Sequence, residues 1–280
     1  YDPKQSAPWL AAAVASAEHP WPAPLRLSIP VNCTVPAVAP EQAAQVVGSS
    51  NGCTTAKVKV AEPGQSLADD VERVAAVRDA LGPSGHIRVD ANGAWTVDEA
   101  VAALRALDRA AGGLEYAEQP CRTVEELAAV RRRVDIPIAA DESIRHAADP
   151  LRVVSLDAAD VAILKVQPLG GVEACLRIAE QLGIPVVVSS ALETSIGLAA
   201  GVALAAALPE LPYACGLATM SLLDRDVVYE SFRPVDGALP VVRPEPSPDL
   251  LAAVAADAET RRRWQGRLAA VRAIGEDRVL

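Results

Sequence analysis

Six ionisable side chains fall at matching places in successive apolar runs: Lys57 and Lys59 in "AKVKV", Asp90 in "IRVDANGAW", Glu118 in "EYAEQP", Asp141 in "AADES" and Lys165 in "ILKVQP". Each run is rich in Ile, Val, Leu or Ala and reads as a buried strand, where a charge is costly. Taken singly, an aspartate at a strand end is a turn former or a helix cap, and a strand lysine reaches back to water. Taken together, three carboxylates brought to one place repel one another, and one is forced to take a proton. A hard divalent cation removes that conflict. With all-oxygen donors and none of the histidines (His19, His86 and His146) at a matching position, Mg2+ is favoured over zinc, and Mn2+ stays open.

A lysine on either side of such a cation points to carbon-acid chemistry. An unperturbed ammonium, with a pKa of about 10.4, is too weak a base at neutral pH. Beside a dication and a second ammonium, in a water-poor cavity, that value falls toward about 7–8. A substrate carboxylate on the cation would then lose its α-proton to one lysine, with the cation neutralising the enediolate.

Other polar residues near these positions carry two readings each. Asn92 and Glu142 follow Asp90 and Asp141 closely and either support the cation site or are plain loop residues. Ser189 and Ser190 either bind a substrate carboxylate or cap the next helix. Glu193 has no assigned step. Gly170-Gly171 either brings a helix N-terminus to an anion or makes a turn.

What must position these residues is a repeat. Candidate strands lie at 27–34, 56–60, 87–90, 114–118, 138–141, 161–166, 186–189 and 213–216. Amphipathic helices lie between most of them, among them 66–81 from a Ser66-x-x-Asp69 cap, 96–110 from Thr96, and 123–133 from Thr123 with Glu126. The intervals from Asp90 to Glu118, Asp141, Lys165 and Ser189 are 28, 23, 24 and 24 residues. Such even spacing marks βα units and a parallel sheet. Eight strands in this span fit a barrel better than an open sheet, and no G-x-G-x-x-G follows a strand to support nucleotide binding. In such a barrel the strand C-termini line the active site.

Composition sets the outer limits. The 280 residues are 51% hydrophobic and 3% aromatic, so aliphatic side chains must fill the core. A net charge of −10 disfavours nucleic acid or an anionic membrane as partner, and the basic runs 131–133 and 261–263 read as solvated helix faces. A small-molecule carboxylate is the expected partner; monomer or homo-oligomer is left undetermined. Five scattered cysteines, never in C-x-x-C spacing, fit neither a zinc site nor a disulfide framework and suggest the cytoplasm. No apolar stretch reaches transmembrane length uninterrupted. The chain opens on Tyr1 without a signal-peptide pattern, and residues upstream are expected in the full protein.

As a set, Lys57-Val58-Lys59, Asp90, Glu118, Asp141 and Lys165, with "DANGAW", "EQP", "DES" and "SSALETSIG", resemble the enolase superfamily, in particular its muconate-lactonising subgroup. The likeness covers roughly residues 25–220. It implies an α/β fold, a (β/α)7β-type TIM barrel over 25–220 with a reduced α+β capping domain. Residues 1–24 would be the remnant of its N-terminal part, and 221–280 a segment returning to it. It implies metal ligation by Asp90, Glu118 and Asp141 and catalysis by Lys59 and Lys165, with Lys57, Asn92, Glu142, Ser189, Ser190 and Glu193 in support or at the substrate. The branch of the subgroup most similar dehydrates 2-succinyl-6-hydroxy-2,4-cyclohexadiene-1-carboxylate in menaquinone biosynthesis. Alternatives are N-acylamino acid racemase, epimerase and cycloisomerase activities. The eighth strand, "ACGLAT", lacks the carboxylates with which dipeptide epimerases hold an ammonium group.

Overall fold

Strand and helix alternate along the chain because apolar β-branched runs are punctuated by strong helix starts. The computed structural model describes residues 2–146 and 149–276. Helix α1 (Pro3–Glu18) is followed by β1 (Ser28–Pro30), β2 (Cys33–Val35) and α2 (Pro40–Gly48). The repeat then runs β3 (Thr55–Lys59), α3 (Leu67–Leu81), β4 (His86–Asp90), α4 (Val97–Ala111), β5 (Tyr116–Glu118), α5 (Val124–Arg131), β6 (Ile138–Ala140), α6 (Glu142–Arg145), α7 (Arg152–Ser155), β7 (Val161–Leu164), α8 (Val172–Leu182), β8 (Val186–Val188) and α9 (Ser195–Ala207). A 3-10 turn at Met220–Leu222, then β9 (Ala238–Pro240), α10 (Pro248–Ala253) and α11 (Ala258–Glu276), follow. Four helix starts are fixed by reciprocal caps: Asp2 with Gln5, Ser66 with Asp69, Thr96 with Glu99, and Thr123 with Glu126. Each satisfies two N–H groups that the first turn would otherwise leave unbonded. The expected helix 123–133 is shorter, ending at Arg131.

Strands β2 to β8 form one parallel sheet in chain order. The expected eighth strand is reduced to a stave of two residues. Cys215 bridges to Val31 on one edge and Gly216 to Ser189 on the other, both parallel, which closes the barrel. The expected first strand, 27–34, divides. Its first part, β1, pairs antiparallel with β9, a partner some 200 residues away that no local pattern announces. Pro30 has no N–H to continue a ladder, and only β2 joins the barrel.

Period-two alternation sorts the strand residues onto two faces. Outward residues such as Val58, Val89, Ala117, Ile138 and Leu164 belong to the large core shared with the helices. Inward residues Tyr116, Ala139, Val161, Ile163 and Val187 form a second, smaller core inside the barrel. Arg88 shares that interior, with its guanidinium 4.6 Å over the Tyr116 ring and an ion pair to Glu115. Helix α9 is apolar on every side because it is buried along almost its whole length. No helix among the described residues is long and apolar enough to cross a membrane.

The segment after the barrel is pinned by one carboxylate. Thr194 makes no side-chain cap at the start of α9; instead Asp226 accepts from the Ser195 amide at 3.1 Å and from the Ser195 hydroxyl. The Ser195 hydroxyl in turn accepts from the Phe232 amide at 2.8 Å. Burial alone would raise the Asp226 pKa, but the donors of Ser195, Ser231 and Val227 hold it below the usual carboxylate range. We expect Asp226→Ala to cost about 1–2 kcal/mol, as for loss of a helix N-cap, lowering Tm by roughly 2–6 °C. Because the folded value is depressed, this stabilisation is present above the unfolded value and lost as pH falls through the folded one. The difference in Tm between wild type and variant should therefore close in acid. A gap that persists unchanged to low pH would contradict the assignment.

Candidate active site

The six chemistry-bearing residues meet at one mouth because all point inward at the C-terminal ends of adjacent staves. Register places Lys59 beside Asp90 and Asp90 beside Glu118; Asp141 and Lys165 stand one residue past β6 and β7. Asp90, Glu118 and Asp141 are almost wholly buried, and Lys57 and Lys165 nearly so.

The carboxylates are paired to cations. The Lys57 ammonium lies 2.9 Å from Glu118 Oε1 and 3.1 Å from Asp90 Oδ2. The Lys59 ammonium donates to the same Asp90 oxygen at 2.6 Å and to Asn92 Oδ1 at 2.7 Å. Lys165 donates to Asp141 Oδ2 at 2.6 Å, and Arg145 Nε donates to Asp141 Oδ1 at 2.8 Å. The electrostatics follow. Burial works against the charge on Lys57, but Glu118 and Asp90 override it and keep the ammonium protonated well above its ordinary range. Burial likewise disfavours the Asp90 carboxylate, which Lys57 and Lys59 nonetheless hold far below the usual value. Glu118 is pushed up to about 7, first by burial and then by the charge of Asp90, with Lys57 opposing and Asp141 adding to the rise.

The two lysines of the K-x-K pair thus occupy different places. Lys57 is locked between two acids with its side chain 9% exposed, whereas that of Lys59 is 31% exposed. Both border a cavity of about 410 Å3 that Lys165, Ser190, Thr219 and Trp9 also line, a size suited to a small organic acid.

Among the described residues no three His, Cys, Asp or Glu side chains form a group arranged to hold a metal ion; lysine and arginine groups stand on Asp90 Oδ2, Glu118 Oε1 and both Asp141 oxygens. The donor chemistry nevertheless fits a hard divalent cation: three carboxylates on consecutive staves, without imidazole or thiolate. Burial first, and then the acidic neighbours, raise Glu118, and added positive charge would oppose that rise.

Asn92 and Glu142 join this network. Asn92 adopts a left-handed backbone (φ 46°), its amide N–H donates to Asp90 Oδ1 at 3.0 Å, and its side chain donates to Glu142 Oε1 at 3.2 Å. Ser189 and Ser190 do not cap the next helix, which starts only at Ser195. The two staves approach there instead: the Ser189 hydroxyl lies 3.4 Å from the Gly216 carbonyl, and that of Ser190 lies 2.8 Å from the Thr219 hydroxyl. Glu193 accepts from the Ala191 amide through Oε1, while its buried Oε2 accepts no hydrogen bond among the described residues; burial raises its pKa. Gly170-Gly171 is a turn that lets α1 approach, with Ala12 and Ala15 at 3.6 Å from where a Gly171 side chain would begin.

Four contributors escaped the sequence reading. Gln119 accepts from the Asp141 and Ser143 amides at 3.0 and 3.1 Å, tying the fourth stave to the fifth. Arg145 carried a readable signal, the helical i,i+4 spacing from Asp141. Trp9, from a helix outside the barrel, and Thr219, just past the eighth stave, carried none.

A closed barrel with K-x-K on its second stave, acids on the third to fifth and lysine on the sixth defines the muconate-lactonising kind of enolase-superfamily enzyme. The family described as enolase C-terminal domain-like matches residues 39–246, and the chain belongs to it. Its relatives include the o-succinylbenzoate synthase of Thermobifida fusca (strain YX), 65% identical over 99% of this chain and 85% of the relative. That of Mycolicibacterium smegmatis is 57% identical over 98% and 84%. Among solved structures, a mandelate racemase/muconate lactonizing family protein from Azoarcus sp. EbN1 superposes with a TM-score of 0.73. It is 27% identical and covers 84% of this chain and 68% of its own.

Proposed function

We infer that the chain catalyses the o-succinylbenzoate synthase reaction, a carbon–oxygen lyase step. Water is lost from 2-succinyl-6-hydroxy-2,4-cyclohexadiene-1-carboxylate and 2-succinylbenzoate is formed, as menaquinone biosynthesis requires. The observation that carries this reading is identity of 65% and 57% over nearly the whole chain to relatives of that name.

The residues account for the chemistry. Lys59, the K-x-K lysine nearer solvent, takes the proton α to the ring carboxylate as a neutral amine. As an ammonium it returns that proton to the departing hydroxyl, so that one water leaves and the ring becomes aromatic. Lys165, across the mouth, keeps its positive charge against the π system that develops. Lys57 stays protonated and holds Asp90 and Glu118 in place. Asp90, Glu118 and Asp141 would hold Mg2+, or Mn2+ in its place, which when bound supplies positive charge to the substrate carboxylate. Asn92 and Glu142 support that site, and Ser189 and Ser190 border the space for the succinyl arm. No carboxylate on the eighth stave offers a counter-ion to a cationic substrate.

The same reading takes residues 1–24 and 221–280 as parts of a reduced cap over the barrel at 25–220, helix α1 packing on α11. It also takes a small carboxylate as partner rather than nucleic acid or membrane, and the cytoplasm as location. The test is an assay of the purified chain with the cyclohexadiene substrate and Mg2+, beside a chiral N-succinyl amino acid. Aromatic product without racemisation is the expected result. Racemisation without dehydration would transfer the reading to an N-acylamino acid racemase.

A further inference from the structure

Arg145 lies between two carboxylates in unequal ways, with its Nη1 group also 2.6 Å from His146 Nε2. Its Nε donates to Asp141 Oδ1, and its NH2 group donates to Glu142 Oε1. Asp141 is fully engaged, because Lys165 holds its other oxygen. Glu142 is not: its Oε2 is buried and accepts no hydrogen bond among the described residues. A guanidinium presents a planar fork that fits both oxygens of one carboxylate at once. A small turn of the Arg145 head toward Glu142 would therefore exchange one charged partner for another and satisfy the orphaned oxygen. Such a turn would free one Asp141 oxygen, Oδ1, and leave the Lys165 pair intact.

We propose that Arg145 stands in for the divalent cation at Asp141 and steps onto Glu142 when the ion binds. This rests on the reading that Asp90, Glu118 and Asp141 hold the ion. Arg145 is then a positioning residue that neutralises a buried acid in the ion's absence. Without a landing place the displaced guanidinium would lose a charged partner while partly buried, which is costly. Glu142 removes that cost, so the two side chains act on ion binding in opposite directions through one another.

The experiment is a titration of the full chain with Mn2+, followed by electron paramagnetic resonance of the free ion and by calorimetry. Wild type is compared with Arg145→Met, Glu142→Gln and the double variant. Arg145→Met should bind Mn2+ about tenfold more tightly, within the usual range of couplings between sites. Glu142→Gln should bind several-fold more weakly, and this penalty should largely vanish in the Arg145→Met background. If Arg145→Met fails to fold, as judged by circular dichroism, Arg145→Gln keeps polar donors without charge and should show the same tightening. Unchanged or weaker binding on loss of the arginine overturns the proposal. So does a Glu142→Gln penalty of equal size in both backgrounds, which would reflect only the field of the glutamate. Failure of wild type to bind Mn2+ at all would instead overturn the underlying assignment of the ligands.

Discussion

Replacing Lys59 with methionine is expected to lower the rate of dehydration by about 10⁴-fold, the upper end of what a general acid–base group contributes, while the fold stays intact. The side chain keeps an unbranched apolar stem and loses the amine. Asp90 retains Lys57 at 3.1 Å and the Asn92 amide at 3.0 Å, so the buried acid is not stranded. Lys57→Met, two residues away on the same strand face, should behave in the opposite manner. It leaves Glu118 without its ammonium at 2.9 Å and Asp90 with one ammonium, that of Lys59, in place of two. Loss of one partner from a buried ion pair costs about 3–5 kcal/mol, and Tm should fall by roughly 10 °C. Steady-state kinetics beside thermal melts of both variants make the check. A fully active Lys59→Met would remove the base from the mechanism, and an unperturbed melt for Lys57→Met would show that the pairing does not hold the site together.

How far this arrangement could be read beforehand depended on whether the relevant physics was local. Asp90, Glu118, Asp141 and Lys165 were legible because alternation within a strand and the even βα interval are periodic properties of the chain. Each then had only to stand at the same phase of the repeat. The reciprocal caps at Ser66, Thr96 and Thr123 were legible for the same reason, since donor and acceptor lie three residues apart. The antiparallel pairing of β1 with β9 was not, because its partner lies beyond the whole barrel in sequence. The eighth stave was over-read for a related reason: "YACG" has strand character, yet only two of its residues bridge to the neighbouring edges. That Asn92 and Glu142 meet was not legible either, because their contact spans 50 residues. For Ser189 and Ser190 the helix-cap reading fell to a loop that delays α9 until Ser195. In each case the missing information was a distance between segments.

Removal of divalent metal should abolish dehydration and expose a pH dependence of stability that metal suppresses. Glu118 decides the sign. Its folded value is pushed up to about 7 from an ordinary 4.5, so the metal-free fold gains stability from this group below the ordinary value and loses it as pH rises through about 7. Melts in chelator should therefore show Tm falling between pH 5 and pH 8. A bound divalent ion favours the ionised carboxylate, so Mg2+ should raise Tm most at the alkaline end of that window. At a concentration of 100 times Kd the gain is about 2.7 kcal/mol. Glu118→Gln should flatten the metal-free slope, shrink the gain from Mg2+, and reduce dehydration by more than about a hundredfold, since loss of a ligand exceeds loss of a residue that merely orients one. Calorimetric melts across the pH range, with Mg2+ and with chelator, separate these outcomes. A slope that survives in Glu118→Gln would place the titrating group elsewhere, and full activity in chelator would mean that the three acids serve the lysines alone.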